Sequence, residues 1–376
     1  MDSGFASALL SWFRVNGREL PWRQTRDPYA IWLSEVILQQ TQVKQGWDYW
    51  LRFMHRWPTV GDLAAATEDE VLREWQGLGY YSRARNLHAA ARQVVAAGGF
   101  PDTIDGLRAL KGVGDYTAAA IGSIAFGLPV AVVDGNVYRV LARHFGIATP
   151  INTTEGHREF ATLAQALLPA GSLCSAATAG SLCSAGAAGS LCSAAAAGSL
   201  CSGGAAAPAP SAAYNQAIMD FGATVCTPQS PRCAACPLQE TCVAFREGRV
   251  AQLPVKQHRL KVSNRHLIYI YIRCNGYTAI RRRPAGDIWQ GLYEPLLIEK
   301  EQLTKENSQF PISNFLLLRR GVKHVLTHRV LYADFYLWQV GERPPLPADY
   351  FWIAEADIDR YAVPRLIEKL LELINE

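Results

Sequence analysis

The chain has 376 residues, enough for two or three domains that each bury a core. Half of it is apolar, yet no uninterrupted apolar run approaches the roughly eighteen residues of a membrane-spanning helix. Thirty-seven lysines and arginines against 33 acids leave a net charge of +4, which suits a polyanionic partner without requiring one. Met1 to Arg14 lacks the basic start and small-residue cleavage site of a secretory leader, so a cytoplasmic protein is expected.

In chain order, the first half reads as helices. Ser3 can cap a helix through Phe5, Leu9, Leu10 and Phe13 that ends near Gly17. Asp27-Pro28 places a cap before a proline at the first helical position and opens a segment through Trp32, Glu35 and Ile37. Thr67 with Glu70 forms a capping box, and Gly77 closes that helix. Gly98-Gly99 and Gly127 end two more. From about residue 265 the period changes. His266 to Ile272 is β-branched and aromatic, Asn275-Gly276 signals a hairpin, and Tyr277 to Ile280 continues as a strand. Val325 to Val340 is strand-like, and Arg365 to Glu376 reads as an amphipathic helix. Residues 250–264, basic and containing Pro254, read as a linker.

Between these halves, residues 171–202 repeat Gly-Ser-Leu-Cys-Ser at a period of nine. Nine residues are about 2.5 helical turns, so successive Leu-Cys pairs face opposite ways and no single apolar stripe forms. An odd period flips the face of a strand as well. The stretch, 171–210 with its prolines, reads as a low-complexity surface insertion, with a cysteine-based metal or redox site as the alternative.

Nine cysteines in a chain expected to be cytosolic disfavour a disulfide framework. Cys226, Cys233, Cys236 and Cys242 have the spacing C-x6-C-x2-C-x5-C, and four thiolates so close in sequence can wrap one metal centre. Spacing leaves zinc and 4Fe–4S both open. Upstream, Leu110-Lys111-Gly112-Val113-Gly114 precedes the small-residue segment Thr117 to Ile124. Gly112 and Gly114 allow a tight turn whose N–H groups converge at a helix start, an anion seat blind to sequence. Taken alone, the pair reads as an ordinary turn. Asp134, between Val132-Val133 and a helix start, reads alone as an N-cap.

With the helical half before it, the cysteine spacing resembles the endonuclease III superfamily of DNA repair enzymes. That resemblance implies a 4Fe–4S cluster on Cys226, Cys233, Cys236 and Cys242, a loop facing DNA phosphates in which only Arg232 is charged, and Asp134 as the catalytic carboxylate. Asp134 lies eighteen residues after Tyr116, as the superfamily pattern requires. Strand-cutting members carry lysine at the position of Tyr116, and a phenol forms no Schiff base, so a monofunctional glycosylase is expected.

Leu20-Pro21-Trp22-Arg23, Trp32 to Val43 and Gly77 to Leu87 closely resemble the MutY family of adenine DNA glycosylases, over nearly the whole chain except the repeat. The resemblance implies that Glu35, in an apolar helix stretch that raises a carboxyl pKa, protonates adenine N7. Asp134 then stabilises the oxocarbenium-like sugar, with Tyr116 and Asn136 positioning the two carboxyls. It also gives Arg23, Gln40, Thr41, Leu78, Tyr80, Gly112, Gly114 and Gln216 contacts to DNA or the flipped base. Tyr80 reads alternatively as core packing.

Asp287 to Pro295 resembles the Nudix-like domain with which this family recognises 8-oxoguanine. Leu326-Thr327-His328 stands where the family usually has Phe-Ser-His, so Thr327 and His328 are expected to read the lesion, a plain strand histidine being the alternative. Glu294, Glu299 and Glu301 are too scattered for a hydrolytic metal site.

The expected architecture is therefore a mainly α helix-hairpin-helix glycosylase fold with a 4Fe–4S loop over residues 1–249, the linker 250–264, and an α+β Nudix-like domain over residues 265–376. The expected partner is double-stranded DNA with adenine opposite 8-oxoguanine, bound by a monomer. A thymine or uracil mismatch glycosylase and a catalytically inactive DNA-binding iron–sulfur protein are the alternatives.

Overall fold

The computed structural model describes residues 3–169, 209–257, 262–299 and 315–375. The repeat 171–202 and Glu301 lie outside the described residues, as does the side chain of Glu299. The chain divides into two compact units, Met1–Leu20 with Ala119–Lys256, and Pro21–Ala118 with Gln257–Glu376. The helical region 1–249 is thus shared between the two units, residues 21–118 grouping with the C-terminal region and the rest forming the first unit.

The helices in chain order are α1 (Ser3–Asn16), α2 (Pro28–Leu38), α3 (Val43–Arg56), α4 (Val60–Ala65), α5 (Glu68–Trp75) and α6 (Ser82–Ala96). They continue with α7 (Ile104–Ala109), α8 (Asp115–Phe126), α9 (Gly135–Phe145), α10 (Thr154–Leu167), α11 (Pro210–Thr224) and α12 (Val243–Arg246). The capping signals hold. Asp27 accepts from the N–H groups of Tyr29 and Ala30, and Thr67 and Glu70 form a reciprocal capping box. Each such cap stabilises its helix by about 1 kcal/mol. Gly77, Gly98 and Gly127 adopt positive φ just past the ends of α5, α6 and α8. Only the first signal shifts: Ser3 lies inside α1 rather than ahead of it.

In the first unit, α1 lies along α11. Trp12 meets the Phe221 ring edge-on at 5.1 Å, and Arg18 engages the fully buried Asp220 through its backbone N–H and guanidinium. The first half of the expected linker is docked here: Leu253 is buried, and the Ile151 N–H donates to the Val255 carbonyl at 3.0 Å. In the second unit, Trp32, Phe53 and Trp75 form the aromatic centre of the helical part, with Phe53 perpendicular to Trp75 at 5.7 Å.

The strands of the second unit are β1 (Ser263–Arg273), β2 (Tyr277–Arg282), β3 (Tyr293–Glu294), β4 (Leu296–Glu299), β5 (Leu316–Val325), β6 (Arg329–Gln339) and β7 (Tyr350–Ala354), followed by α13 (Arg365–Asn375). Among the described residues they form a four-stranded sheet ordered β4-β1-β6-β5 and a three-stranded sheet ordered β3-β2-β7. β1 runs parallel to β6, with Tyr269 opposite Phe335, and the other pairings are antiparallel. Leu267, Tyr269 and Tyr271 pack with Leu366, Ile367 and Leu370 of α13, while Ile268, Ile270 and Ile272 enter a second core. Burial on both faces explains why β1 reads as an unbroken apolar run instead of an alternation. Asn275 and Gly276 both have positive φ, as the hairpin signal requires. The stretch Val325 to Val340 is not one strand: a turn at Thr327-His328 separates β5 from β6, closed by the Leu326 N–H on the Arg329 carbonyl at 2.8 Å.

Candidate active site

Glu35 lies on α2 among Trp32, Leu33, Val36 and Ile37, all buried, and is itself 9% exposed. From the first turn of α8, the Tyr116 hydroxyl donates to Glu35 Oε2 at 2.6 Å. The phenol and the carboxyl, 81 positions apart in the chain, are thus in direct contact.

Asp134 is the N-cap of α9. Its Oδ1 accepts from the N–H groups of Asn136 and Val137 at 2.9 and 2.8 Å, and its Oδ2 from Asn136 Nδ2 at 2.7 Å. The capping and catalytic readings of this residue are compatible, since capping fixes the carboxylate by backbone geometry. Burial raises its pKa above the usual aspartate range, outweighing the hydrogen bonds from Val137 and Asn136 and the field of Arg139.

Leu110 to Gly114 joins α7 to α8 in a helix-hairpin-helix. Gly112 has φ +78, and a Cβ there would sit 2.6 Å from Asn86 Cβ. Gly114 differs from expectation. Its φ is not left-handed and a Cβ would meet nothing, so the turn itself does not demand glycine there.

Four of the residues expected to face the duplex sit on two loops of the second unit. Gln40, exposed with φ +58, and the half-buried Thr41 follow α2. Leu78, buried, and Tyr80 precede α6. Tyr80 is 48% exposed with φ +46, whereas Tyr81 is 6% exposed, which separates the two tyrosines. A left-handed non-glycine residue costs on the order of 1–3 kcal/mol, so both loops store strain. The Tyr80 hydroxyl forms a short hydrogen bond with Thr327 Oγ1. Thr327 and His328 are both exposed at the tip of the β5–β6 turn, not within a strand. Arg23 is half-buried in the 3-10 turn Pro21–Arg23, and Gln216 is half-buried on α11.

Three buried arginines of the helical region were not singled out by sequence reasoning. Arg139 Nη2 donates to Asn136 Oδ1 at 2.8 Å, and its Nε to the Cys226 carbonyl at 2.6 Å, so one side chain joins the Asp134 cap to the start of the cysteine loop. Arg143 donates to the carbonyls of Thr227, Pro228, Val250 and Leu253 and approaches Cys226 Sγ at 3.5 Å. Arg83 donates to carbonyls around α2 and the Tyr80 loop, and burial pushes its pKa down to about 10. An arginine inside a helix-period apolar stretch is the signal that could have found them.

Cys226, Cys233, Cys236 and Cys242 supply an all-thiol donor set that suits an iron–sulfur cluster. Burial, then the neighbouring thiols, pushes Cys236 up to about 11, so the four cysteines share one electrostatic environment. Among the described residues no three His, Cys, Asp or Glu side chains converge on a single ion.

In the C-terminal sheet the fully buried Glu294 accepts from Arg281 at 2.9 Å, Tyr269 at 3.1 Å and Arg283, so internal partners consume it. Asp287 is likewise shared by Arg265, Arg283 and Arg329.

Residues 33–165 match the HhH-GPD superfamily of base excision DNA repair proteins, residues 226–242 the iron-sulfur binding domain of endonuclease III, and residues 268–373 the NUDIX domain. Together with the hairpin and the thiol loop, these matches define a helix-hairpin-helix base excision repair protein that carries a 4Fe–4S cluster and a Nudix domain. An adenine DNA glycosylase of Mycolicibacterium smegmatis is 36% identical over 254 residues, covering 65% of this chain and 72% of that protein. The chain belongs to the adenine DNA glycosylase family. The adenine DNA glycosylase of Mus musculus is 41% identical over 267 residues, which cover 67% of this chain but only 44% of the mouse protein. The structure of a thermostable thymine-DNA glycosylase superposes with a TM-score of 0.51 at 26% identity, covering 65% of this chain and 95% of that one. Cys226, Cys233, Cys236 and Cys242 would hold the cluster, which begins and ends the matched segment on its outer pair.

Proposed function

We propose that this protein is a monofunctional glycosylase that, as a monomer on duplex DNA, removes adenine mispaired with 8-oxoguanine or guanine. The observation that carries the reading is the Tyr116 hydroxyl on Glu35: where strand-cutting relatives need an amine, this chain places a phenol that orients the acid.

Extruding the adenine costs a few kcal/mol, which insertion of Gln40 and Tyr80 beside the opposing base offsets. Glu35 donates a proton to N7, so the N9–C1′ bond breaks with its electron pair leaving on the base. Tyr116 holds Oε2 and so fixes the orientation of the carboxyl. On this reading the Asp134 carboxylate offsets the positive charge developing at C1′, and its three hydrogen bonds stabilise the charge that burial disfavours. Water then adds at C1′ and loses a proton, leaving an abasic sugar. Thr327, already bonded to Tyr80, and His328 meet the oxidised guanine opposite. Cys226, Cys233, Cys236 and Cys242 would hold the 4Fe–4S cluster, which would cross-link their loop and supply a one-electron redox centre.

The test is single-turnover release from duplexes carrying adenine opposite 8-oxoguanine, with and without hot alkali. Wild type is expected to yield cut strands only after alkali, and Glu35→Gln to be slower by about 10²–10⁴-fold, the usual contribution of a positioned general acid. Scission without alkali rejects the monofunctional reading. Release of thymine from a mismatch, with adenine untouched, favours the thymine glycosylase reading that the fold similarity also permits.

A further inference from the structure

We propose that Arg83 is the positioning residue that locks the two duplex-facing loops to each other and to the helix bearing Glu35, and thereby governs base extrusion. The proposal rests on the base-removal reading above and on the placement of Gln40 and Tyr80 at the duplex.

The guanidinium is buried on the inner side of both loops. Its Nη1 donates to the carbonyls of Val36 at 2.9 Å, Ile37 at 3.0 Å and Gln39 at 2.5 Å. Its Nη2 donates to the carbonyls of Leu78 and Gly79, both at 3.3 Å. The first three belong to the last turn of α2 and its cap, where carbonyls have no partner within the helix and the dipole favours a cation. The other two belong to the turn immediately before Tyr80. One planar group therefore satisfies the backbone behind Gln40 and the backbone behind Tyr80 at once.

The remaining contacts act in the same direction. The guanidinium lies 5.1 Å from the Trp75 ring centroid and 5.7 Å from that of Tyr80, and Trp75 Nε1 donates to the Gly79 carbonyl at 3.0 Å. Gln40 and Tyr80 are two of the few non-glycine residues with positive φ among the described residues, and both conformations are held from this side chain. Val36, whose carbonyl it takes, follows Glu35 directly. A lysine there keeps the charge but lacks the planar fork, and cannot reach five carbonyls spread over the end of α2 and the turn before Tyr80.

The experiment compares wild-type, Arg83→Lys and Gly79→Ala holoenzyme on three duplexes, with adenine opposite 8-oxoguanine, opposite guanine, and opposite an abasic site where no base pair has to be broken. Single-turnover release and thermal melting are measured for each protein. Arg83→Lys is expected to slow release opposite 8-oxoguanine by about tenfold or more, and opposite the abasic site by less than about threefold. Gly79 has φ +71 and open space around it, so Gly79→Ala strains the turn without touching the guanidinium, and should show the same pattern. Equal losses on all three duplexes, in step with a lowered melting temperature, reduce Arg83 to a structural residue and overturn the proposal. Wild-type rates for either variant on every duplex also overturn it. A wild-type protein that releases no adenine from any duplex instead rejects the base-removal reading, and this proposal with it.

Discussion

Asp134 carries two demands that pull in opposite directions. Burial favours its protonated form, while the amide donors of α9 favour the anion, and the net shift is upward. A carboxyl whose folded pKa exceeds its unfolded value of about 3.9 stabilises the fold most below that value, and the contribution is lost as pH rises through the folded pKa. At neutral pH the ionised side chain is therefore a cost to stability, retained for chemistry. Asp134→Asn, which still caps a helix, should melt above wild type near pH 7, with the gap closing toward about pH 4, while adenine release is lost. Melting curves across that range check it, and a variant less stable than wild type at every pH would show that burial is not the dominant influence. Tyr116→Phe isolates the other carboxyl. It deletes one hydrogen bond to Glu35 and should slow adenine release by about tenfold while leaving duplex affinity unchanged, read from single-turnover rates beside binding titrations.

At the scale of elements, the hairpin between α7 and α8 separates a folding role from a binding role. Gly112→Ala introduces a left-handed alanine and a Cβ against Asn86, so it should lose about 1–3 kcal/mol of stability in a denaturant titration. Gly114→Ala meets no atom and no positive φ, so its melting should be unchanged. If the exposed N–H groups of this turn seat a DNA phosphate, Gly114→Ala nonetheless weakens duplex binding, and unchanged affinity would place the anion seat elsewhere. The loop after α2 and the loop before α6 are strained at Gln40 and Tyr80, and strain of this kind persists only where surrounding contacts determine the backbone. Arg83 supplies such contacts to both.

At the scale of the whole molecule, the C-terminal sheet and α13 meet the helical part of their own unit through several polar contacts. Tyr293 donates to Asp69 at 2.9 Å, Arg282 reaches Glu68 at 2.8 Å and Asp69 at 3.1 Å, and Gln76 donates to Glu368 at 2.6 Å. The ion pairs are partly exposed, worth about 1 kcal/mol or less each, and screened by salt. Asp69→Ala removes two of these contacts, and should lower the preference for adenine opposite 8-oxoguanine over adenine opposite guanine by several-fold while the guanine rate holds. Added salt should reproduce the loss in wild type. An unchanged ratio would mean that the Tyr80–Thr327 contact alone sets the register of the reading turn.

Much of this was legible in the residues. Asp27-Pro28, the Thr67–Glu70 box and Asn275-Gly276 act within a few positions of themselves, so they specify helix starts and a hairpin wherever they fall. The thiol spacing marks a metal loop within seventeen residues, while the choice of cluster and the meaning of the Tyr116-to-Asp134 interval came from the family resemblance. Other features were settled only by folding. Nothing local distinguishes Tyr80 from Tyr81, and packing alone exposes one and buries the other. Arg83, Arg139 and Arg143 bind carbonyls 47, 87 and 110 positions away. Every residue carries the same carbonyl, so no pattern in the chain marks which ones will be brought within reach, and the choice belongs to the tertiary structure.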